Sequence, residues 1–237
     1  MFARTAQYYD LIYSFKDYGE EVAKIRAVIL KEHPAAHSIL DVACGTAEHA
    51  KLLSAEFAVD GIDLEPGFVE IARRKVPTAS FSVADMRRFE LSKKYDVVQC
   101  LFSSIGYLTH GEDVVRALGC FAKHLAKDGI IVVEPWFAPG EWRVGTPHMA
   151  PPVDRPDIKI CRMNVTEQEG NLSSFRFHYL VATSSGVEYI QEDHELALYT
   201  VGEMLQFFEL AGLSVSHDAE GISGRGLYVA RRDRSRG

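Results

Sequence analysis

A set of short apolar runs, each followed by helix-forming sequence, limits what this chain can fold into. The first is Ser38–Ala43, SILDVA, which ends in Cys44-Gly45-Thr46 and passes into helix to about Glu56. Phe57–Asp63, Ala79–Val83, Tyr95–Leu101 and Ile130–Glu134 repeat the pattern, with helices from Glu65-Pro66 to Lys75 and over Glu112–Ala126 between them. Unbroken apolar runs of this length suit strands covered on both faces, and strands alternating with helices build a parallel sheet. The pattern predicts an α/β domain with a doubly covered open sheet.

Residues 20–32, EEVAKIRAVILKE, carry Val22, Ile25, Val28 and Ile29 on one helical face and stop at Pro34, so residues 1–34 read as a helical cap on a core of residues 35–134. After Glu134 the character changes. Six of the nine prolines fall between 135 and 157, which predicts a long irregular segment. Lys159–Glu167 and Ser173–Val181 then form strands joined at Glu169-Gly170-Asn171, with Phe175, Phe177, Tyr179 and Val181 on one face and Arg176 and His178 on the other. Glu188–Tyr199 adds a third alternating stretch, so residues 135–200 read as an antiparallel three-stranded insertion. Residues 201–237 return to the core with a helix over Val201–Ala211 and strands Leu213–His217 and Gly226–Arg231, and the arginine-rich end from Arg231 reads as a solvated tail.

The 237 residues carry 26 Lys+Arg against 33 Asp+Glu, a net charge of −7, which disfavours non-specific binding to nucleic acid. No apolar leader or membrane-length run is visible, so no membrane association and a cytoplasmic location are expected. Cys44, Cys100, Cys120 and Cys161 lack any C-x-x-C spacing and read as reduced thiols, and no metal-ligand cluster is present. His124, on the helix end away from the strand tips, reads as structural.

The chemistry lies at the strand ends. Asp41 ends an apolar strand, where a carboxylate needs a cationic ligand group or a helix N-terminus beside it. Asp63 ends the next run, where a carboxylate can accept both hydroxyls of a ribose. Asp85 can accept from an exocyclic amine and Met86 can pack on a purine. The fourth run ends in Phe102-Ser103-Ser104. Neither G-x-G-x-x-G nor a glycine loop followed by Lys-Ser/Thr is present.

In this order, Asp41-x-x-x-Gly45, Asp63 and Asp85-Met86 resemble the class I S-adenosylmethionine-dependent methyltransferases. The resemblance implies a Rossmann-like seven-stranded sheet of order 3-2-1-4-5-7-6 with strand 7 antiparallel. It implies S-adenosylmethionine contacts at Tyr18, Asp41, Ala43 and Gly45 for the amino acid part, Asp63 and Leu64 for the ribose, and Asp85 and Met86 for the adenine. Phe102 and Ser103 would sit near the reactive methyl.

Asp41–Thr46, Phe102–Leu108, Val133–Trp136 and Ser223–Leu227, together with Tyr9–Tyr13 and Lys16-Asp17-Tyr18, resemble more narrowly the N,N-dimethyltransferases of nucleotide-linked 3-amino deoxysugars of the desosamine and mycaminose type. That resemblance implies a nucleotide-linked amino sugar as the small-molecule acceptor. Tyr9, Tyr13, Tyr107 and Trp136 would be at the acceptor, and the insertion would serve as its wall and as a homodimer contact. The chain departs from the pattern at Ser14-Phe15, where those enzymes have Gly-Arg-Gly, at Ala47 in place of glycine, and at Trp136-Phe137 in place of two tryptophans.

Arg225, between two glycines, is expected to grip a diphosphate with help from Ser223 and Gly224. Only a neutral amine can attack a sulfonium methyl, so a proton must leave to water or a weak base, and Tyr13, Tyr107 and His178 are the candidate groups. Methylation of another small-molecule amine or hydroxyl, or cofactor binding without catalysis, are the alternatives.

Overall fold

In the computed structural model, which describes residues 4–233, α1 (Tyr9–Ile12) and α2 (Tyr18–Glu32) precede an alternating series. It runs β1 (Ser38–Val42), α3 (Glu48–Leu53), β2 (Ala58–Asp63), α4 (Pro66–Lys75), β3 (Phe81–Val83), β4 (Tyr95–Cys100), α5 (Gly111–His124) and β5 (Leu125–Val133). Helix starts carry their local signals. Asp17 caps α2 by accepting from Glu20 N at 2.9 Å, and α4 begins with Glu65 as cap and Pro66 in its first turn.

After the insertion come α6 (Val201–Leu210), opened by a Thr200–Glu203 capping box, β11 (Leu213–Asp218) and β12 (Leu227–Arg232). The main sheet has the order β11-β12-β5-β4-β1-β2-β3, and β12 alone runs against its neighbours. This is the seven-stranded methyltransferase arrangement that the resemblance implies.

The continuous apolar runs have a direct cause. Ile39 and Leu40, adjacent on β1 and both fully buried, belong to opposite cores. Leu40 packs with Leu118 and Phe121 of α5 and Phe208 of α6, whereas Ile39 packs with Ile25 and Ile29 of α2 and Val69 of α4. A strand covered on both faces cannot alternate.

The insertion holds more strand than its prolines suggest. Its sheet contains β6 (Pro147–Met149), β7 (Val153–Asp154), β8 (Lys159–Glu169), β9 (Leu172–Thr183) and β10 (Gly186–Ala197), so five strands stand where three are expected. The two extra strands are short edge pieces beside β8, and β6 opens on Pro147, a strand-start and edge position where a residue that cannot donate to the ladder is tolerated. Phe175, Phe177, Tyr179 and Val181 are buried as the alternation predicts, and they pack with Ile12 and Tyr13 of the N-terminal segment in a third cluster that also touches Phe102, Tyr107 and Trp136. The insertion therefore roofs the ends of β4 and β5.

The reading of a solvated tail from Arg231 is corrected in part. Both Arg231 and Arg232 lie in β12; Arg231 bonds Glu32, and Arg232 bonds the carbonyl of Ala122 in the last turn of α5 and those of Leu125 and Ala126 just after it. A guanidinium there meets helix carbonyls left without donors. Residues 234–237 lie outside the described residues.

His124 is structural, donating from Nδ1 to Cys120 O (2.8 Å) and accepting from Leu91 N at Nε2 (3.0 Å). Phe121 is fully buried at the centre of the α5–sheet core. Phe121→Ala should lower unfolding stability by about 3–5 kcal/mol, read as a shift of the urea midpoint at unchanged slope.

Candidate active site

The loop after β1 turns through the left-handed region at Ala43, Gly45 and Ala47, with φ of 57°, 54° and 64°. That path aims the Gly45 N–H at the end of β2, where Asp63 Oδ2 accepts it at 2.8 Å; Asp63 Oδ1 accepts Glu65 N at 2.9 Å. Burial pushes the Asp63 carboxyl up, and these backbone bonds oppose the shift. Each oxygen retains a lone pair, and the group lines a cavity of about 610 Å³.

Asp41, 3% exposed, accepts from Gln99 Nε2 at 3.1 Å, while Gln99 Oε1 is buried with no hydrogen-bond partner. Burial pushes the Asp41 carboxyl up to about 6. Asp41 lines a small recess, shared with Tyr18, Ala43, Gly45, Glu48 and His49, that abuts the main cavity at Phe102 and Ser104. Further along the main cavity are Leu64, Met86 and Asp85. Arg87 holds the Asp85 carboxyl below the usual range, bonding both of its oxygens and reaching Asp113 Oδ2 at 2.9 Å. Neither Arg87 nor Asp113 was anticipated from the sequence, although an arginine two residues after a turn acid is a readable signal.

After β4 the chain bends sharply. Phe102 and Ser103 have φ of 51° and 62°, values that few non-glycine residues adopt. Glu134, 3% exposed at the end of β5, supports the bend by accepting Phe102 N at Oε2 (2.7 Å). Its Oε1 accepts Ser223 Oγ at 2.5 Å and Arg225 Nη2 at 3.3 Å.

Two expectations change here. Ser103 is buried and donates to Pro135 O at 2.7 Å, so the bend turns it inward, and its neighbour Ser104 lines the cavity instead. Arg225 lines the cavity, but its charge is matched by Glu134 and its Nε bonds Ser223 Oγ at 3.0 Å, so it is not a free cation awaiting an anion. Ser223 is likewise engaged, and neither it nor Gly224 lines the cavity.

Aromatic rings make the opposite wall. Tyr9 packs on Tyr13 at 4.6 Å and on Phe68 at 4.9 Å, and Tyr13 meets Phe102 edge-on at 5.4 Å. Lys16 places its ammonium 3.3 Å from the centre of the Phe102 ring. Trp136 donates its Nε1–H to Ser173 Oγ at 2.9 Å and faces Trp142 and Phe175. A Cβ at Gly106 would come within 2.9 Å of Trp136 Cβ, so the turn carrying Tyr107 reaches the wall only because that position is glycine. The Tyr107 hydroxyl lies 2.9 Å from His194 Nδ1 on β10.

His178 is the clearest correction. It lies on the outer face of the roof sheet, stacked on Tyr189 with its Nδ1 2.5 Å from that hydroxyl, and does not line the cavity. The pleat that turns Phe177 and Tyr179 inward must turn His178 outward. The inward histidine is His194, opposite Phe175 in the register; burial lowers its pKa to about 4, leaving it neutral. Among the described residues no group of three or more His, Cys, Asp or Glu could hold a metal.

Residues 39–129 match the methyltransferase domain family. Over 233 residues the chain is 38% identical to the dTDP-3-amino-3,6-dideoxy-alpha-D-glucopyranose N,N-dimethyltransferase of Streptomyces fradiae, covering 94% of this chain and 89% of that one. The crystal structure of Streptomyces venezuelae DesVI superposes with a TM-score of 0.90 at 35% identity, over 96% of this chain and 98% of that one. The chain belongs to the sugar N,N-dimethyltransferase family. An S-adenosylmethionine-bound amino pentose methyltransferase from Micromonospora echinaspora, of calicheamicin biosynthesis, shares the fold with a TM-score of 0.82 at 28% identity over 92% of each chain.

As in that family, the cofactor is S-adenosylmethionine and the acceptor is a small molecule. The cleft fits the cofactor. Asp41, lining the recess, offers a buried acceptor for an ammonium, and Asp63 offers lone pairs for hydroxyls. No helix among the described residues is long and apolar enough to cross a membrane.

An ammonium favours the ionised form of Asp41, which with a pKa of about 6 is lost as pH falls. Cofactor affinity should be full above about pH 6 and weaken by up to about tenfold per pH unit below it. Calorimetric titration of Asp41→Asn should show weaker binding with that pH dependence gone.

Proposed function

We propose that this methyltransferase N-methylates the amino group of a nucleotide-linked deoxysugar. One observation carries the reading: a single cavity runs from the carboxylates at the strand ends to an aromatic roof formed by an insertion. In this reading Tyr18, Asp41, Ala43 and Gly45, around the adjoining recess, hold the amino acid part of the cofactor, and in the main cavity Asp63 and Leu64 hold its ribose and Asp85 and Met86 its adenine. Phe102 and Ser104 stand where these two ends meet the roof. When bound, the cofactor supplies an electrophilic methyl on a cationic sulfur.

The protein's task is then to desolvate and align. Tyr9, Tyr13, Tyr107 and Trp136 surround the acceptor with aromatic faces, which favour cations over water loss alone. Tyr107, whose hydroxyl burial makes still less acidic, serves as a hydrogen-bond partner for the amine, not as an ionised base. A neutral His194 takes the hydroxyl hydrogen at Nδ1, leaving the phenol oxygen to accept from the amine N–H and orient its lone pair. The amine's proton leaves to water.

Residues 135–200 also supply the surface for a homodimer in this reading. Met163, Leu180, Val187 and Tyr189 are large apolar side chains exposed on the insertion sheet. The four cysteines, none in a disulfide, support a reducing, cytoplasmic setting.

The test is methyl transfer to nucleotide-linked 3- and 4-amino deoxysugars, followed by mass spectrometry. One or two added methyl groups on the sugar nitrogen are expected; turnover confined to unrelated amines or hydroxyls would assign the enzyme to another small-molecule acceptor. Tyr107→Phe should lower kcat by about tenfold, the kinetic equivalent of one net hydrogen bond, at unchanged cofactor affinity.

A further inference from the structure

Three arginines line the cavity, and their charges are not equally matched. Arg87 is shared by Asp85 and Asp113, and Arg225 is matched by Glu134. Arg162, on β8, has no carboxylate within ion-pair distance among the described residues, and its Nη1 is buried without a hydrogen-bond partner. Its guanidinium lies between two rings, 4.8 Å from the centre of Tyr13 and 4.5 Å from that of Phe177.

Two carboxylates share its face of the roof by register, and both are engaged elsewhere. Glu188 pairs with Arg4, and Glu192 Oε2 accepts the Thr5 hydroxyl at 2.6 Å. The other oxygen of Glu192 is buried without a hydrogen bond, so the roof offers an unused acceptor as well as an unused donor.

Arg162 is only half-buried, but its Nη1 is shut away from water, and ring faces match only part of a guanidinium's charge. An anion supplied from the cavity would complete its bonding. Its planar fork of N–H groups matches two oxygens of a phosphate. We infer that Arg162, not Arg225, grips the diphosphate of the acceptor, and this rests on the nucleotide-linked acceptor proposed above. With a net charge of −7 the protein's overall field opposes such a ligand, so the contact has to be local.

Arg162→Gln, Arg162→Lys and Arg225→Gln should be compared with the wild-type enzyme. The readouts are cofactor Kd, KM for a nucleotide-linked amino sugar, and inhibition by thymidine diphosphate, inorganic pyrophosphate and thymidine. Arg162→Gln should weaken inhibition by both phosphate probes, and raise KM, by about 30-fold or more. Inhibition by thymidine and cofactor Kd should stay within about twofold. Arg162→Lys, which keeps the charge without the fork, should recover part of the loss, and it carries the test if the glutamine variant fails to fold.

Unchanged inhibition by thymidine diphosphate in Arg162→Gln would overturn the inference. So would a larger loss in Arg225→Gln, or a fall in Tm alone, which would make Arg162 a structural counter-charge. If the wild-type enzyme turns over no nucleotide-linked amino sugar but binds the phosphate probes through Arg162, the proposed acceptor falls and the anion site stands.

Discussion

The Glu134 carboxylate ties together three stretches of chain that the fold must bring to one place. One oxygen fixes the Phe102 N–H at the end of β4, and the other takes Ser223 and Arg225 from the loop before β12. Phe102 and Ser103 hold left-handed backbone angles at a cost of about 1–3 kcal/mol each, so the bend persists only where its surroundings over-determine it. A buried carboxylate is tolerable only when fully bonded and paired, which is the work of Arg225 here. Arg225 is in turn covered by Phe102, Trp136 and Phe137, with ring centres 5.6–5.9 Å away. One buried ion pair therefore fixes the Phe102 bend and the stretch of cavity wall formed by Phe102 and Arg225.

The roof is a separate packing unit. Its cluster, built on Ile12, Tyr13, Ile160, Phe175, Phe177 and Tyr179, is distinct from the two cores that flank the main sheet. It is joined to the cofactor loop through α1, where Asp10 accepts from Thr46 Oγ1 at 2.5 Å and from Lys75 Nζ at 2.7 Å. With that division, cavity-facing side chains on β8–β10 can change without disturbing the loop after β1. The same helix α1 carries Tyr9 and is followed by Tyr13, so the N-terminal segment contributes to both halves of the cavity.

The strand ends are legible in the sequence because the signal is local. An apolar run covered on both faces announces itself, and the residue that terminates it must lie at the sheet's edge, so the pattern of the chain alone locates Asp41, Asp63 and Asp85. The roof is not legible in the same way. Alternation along Glu188–Tyr199 says that its residues divide between two faces, but which face points inward depends on pairing with β9. That pairing sets His194 opposite Phe175 and leaves His178 outside. Arg162 is hidden for the same reason, since one arginine in an edge-adjacent strand looks like a solvated side chain until the register puts it opposite Tyr179. Ser103 misleads differently. A positive φ reverses the direction that simple counting along the loop assigns, and counting cannot reveal a positive φ at serine.

The titration states of the roof suit the chemistry beneath it. Methyl transfer from a sulfonium to an amine passes a positive charge from sulfur to nitrogen, so every fixed cation facing the reacting atoms opposes one end or the other of the reaction. A histidine of ordinary pKa against Tyr107 would carry partial charge near neutrality. Burial against Phe175 and Phe177 instead lowers His194 to about 4 and keeps it a neutral hydrogen-bond partner. The roof thus combines aromatic faces that tolerate a cation with an imidazole that does not compete with one, and its unmatched cavity-lining cation, Arg162, is left to a ligand anion rather than to the reacting amine.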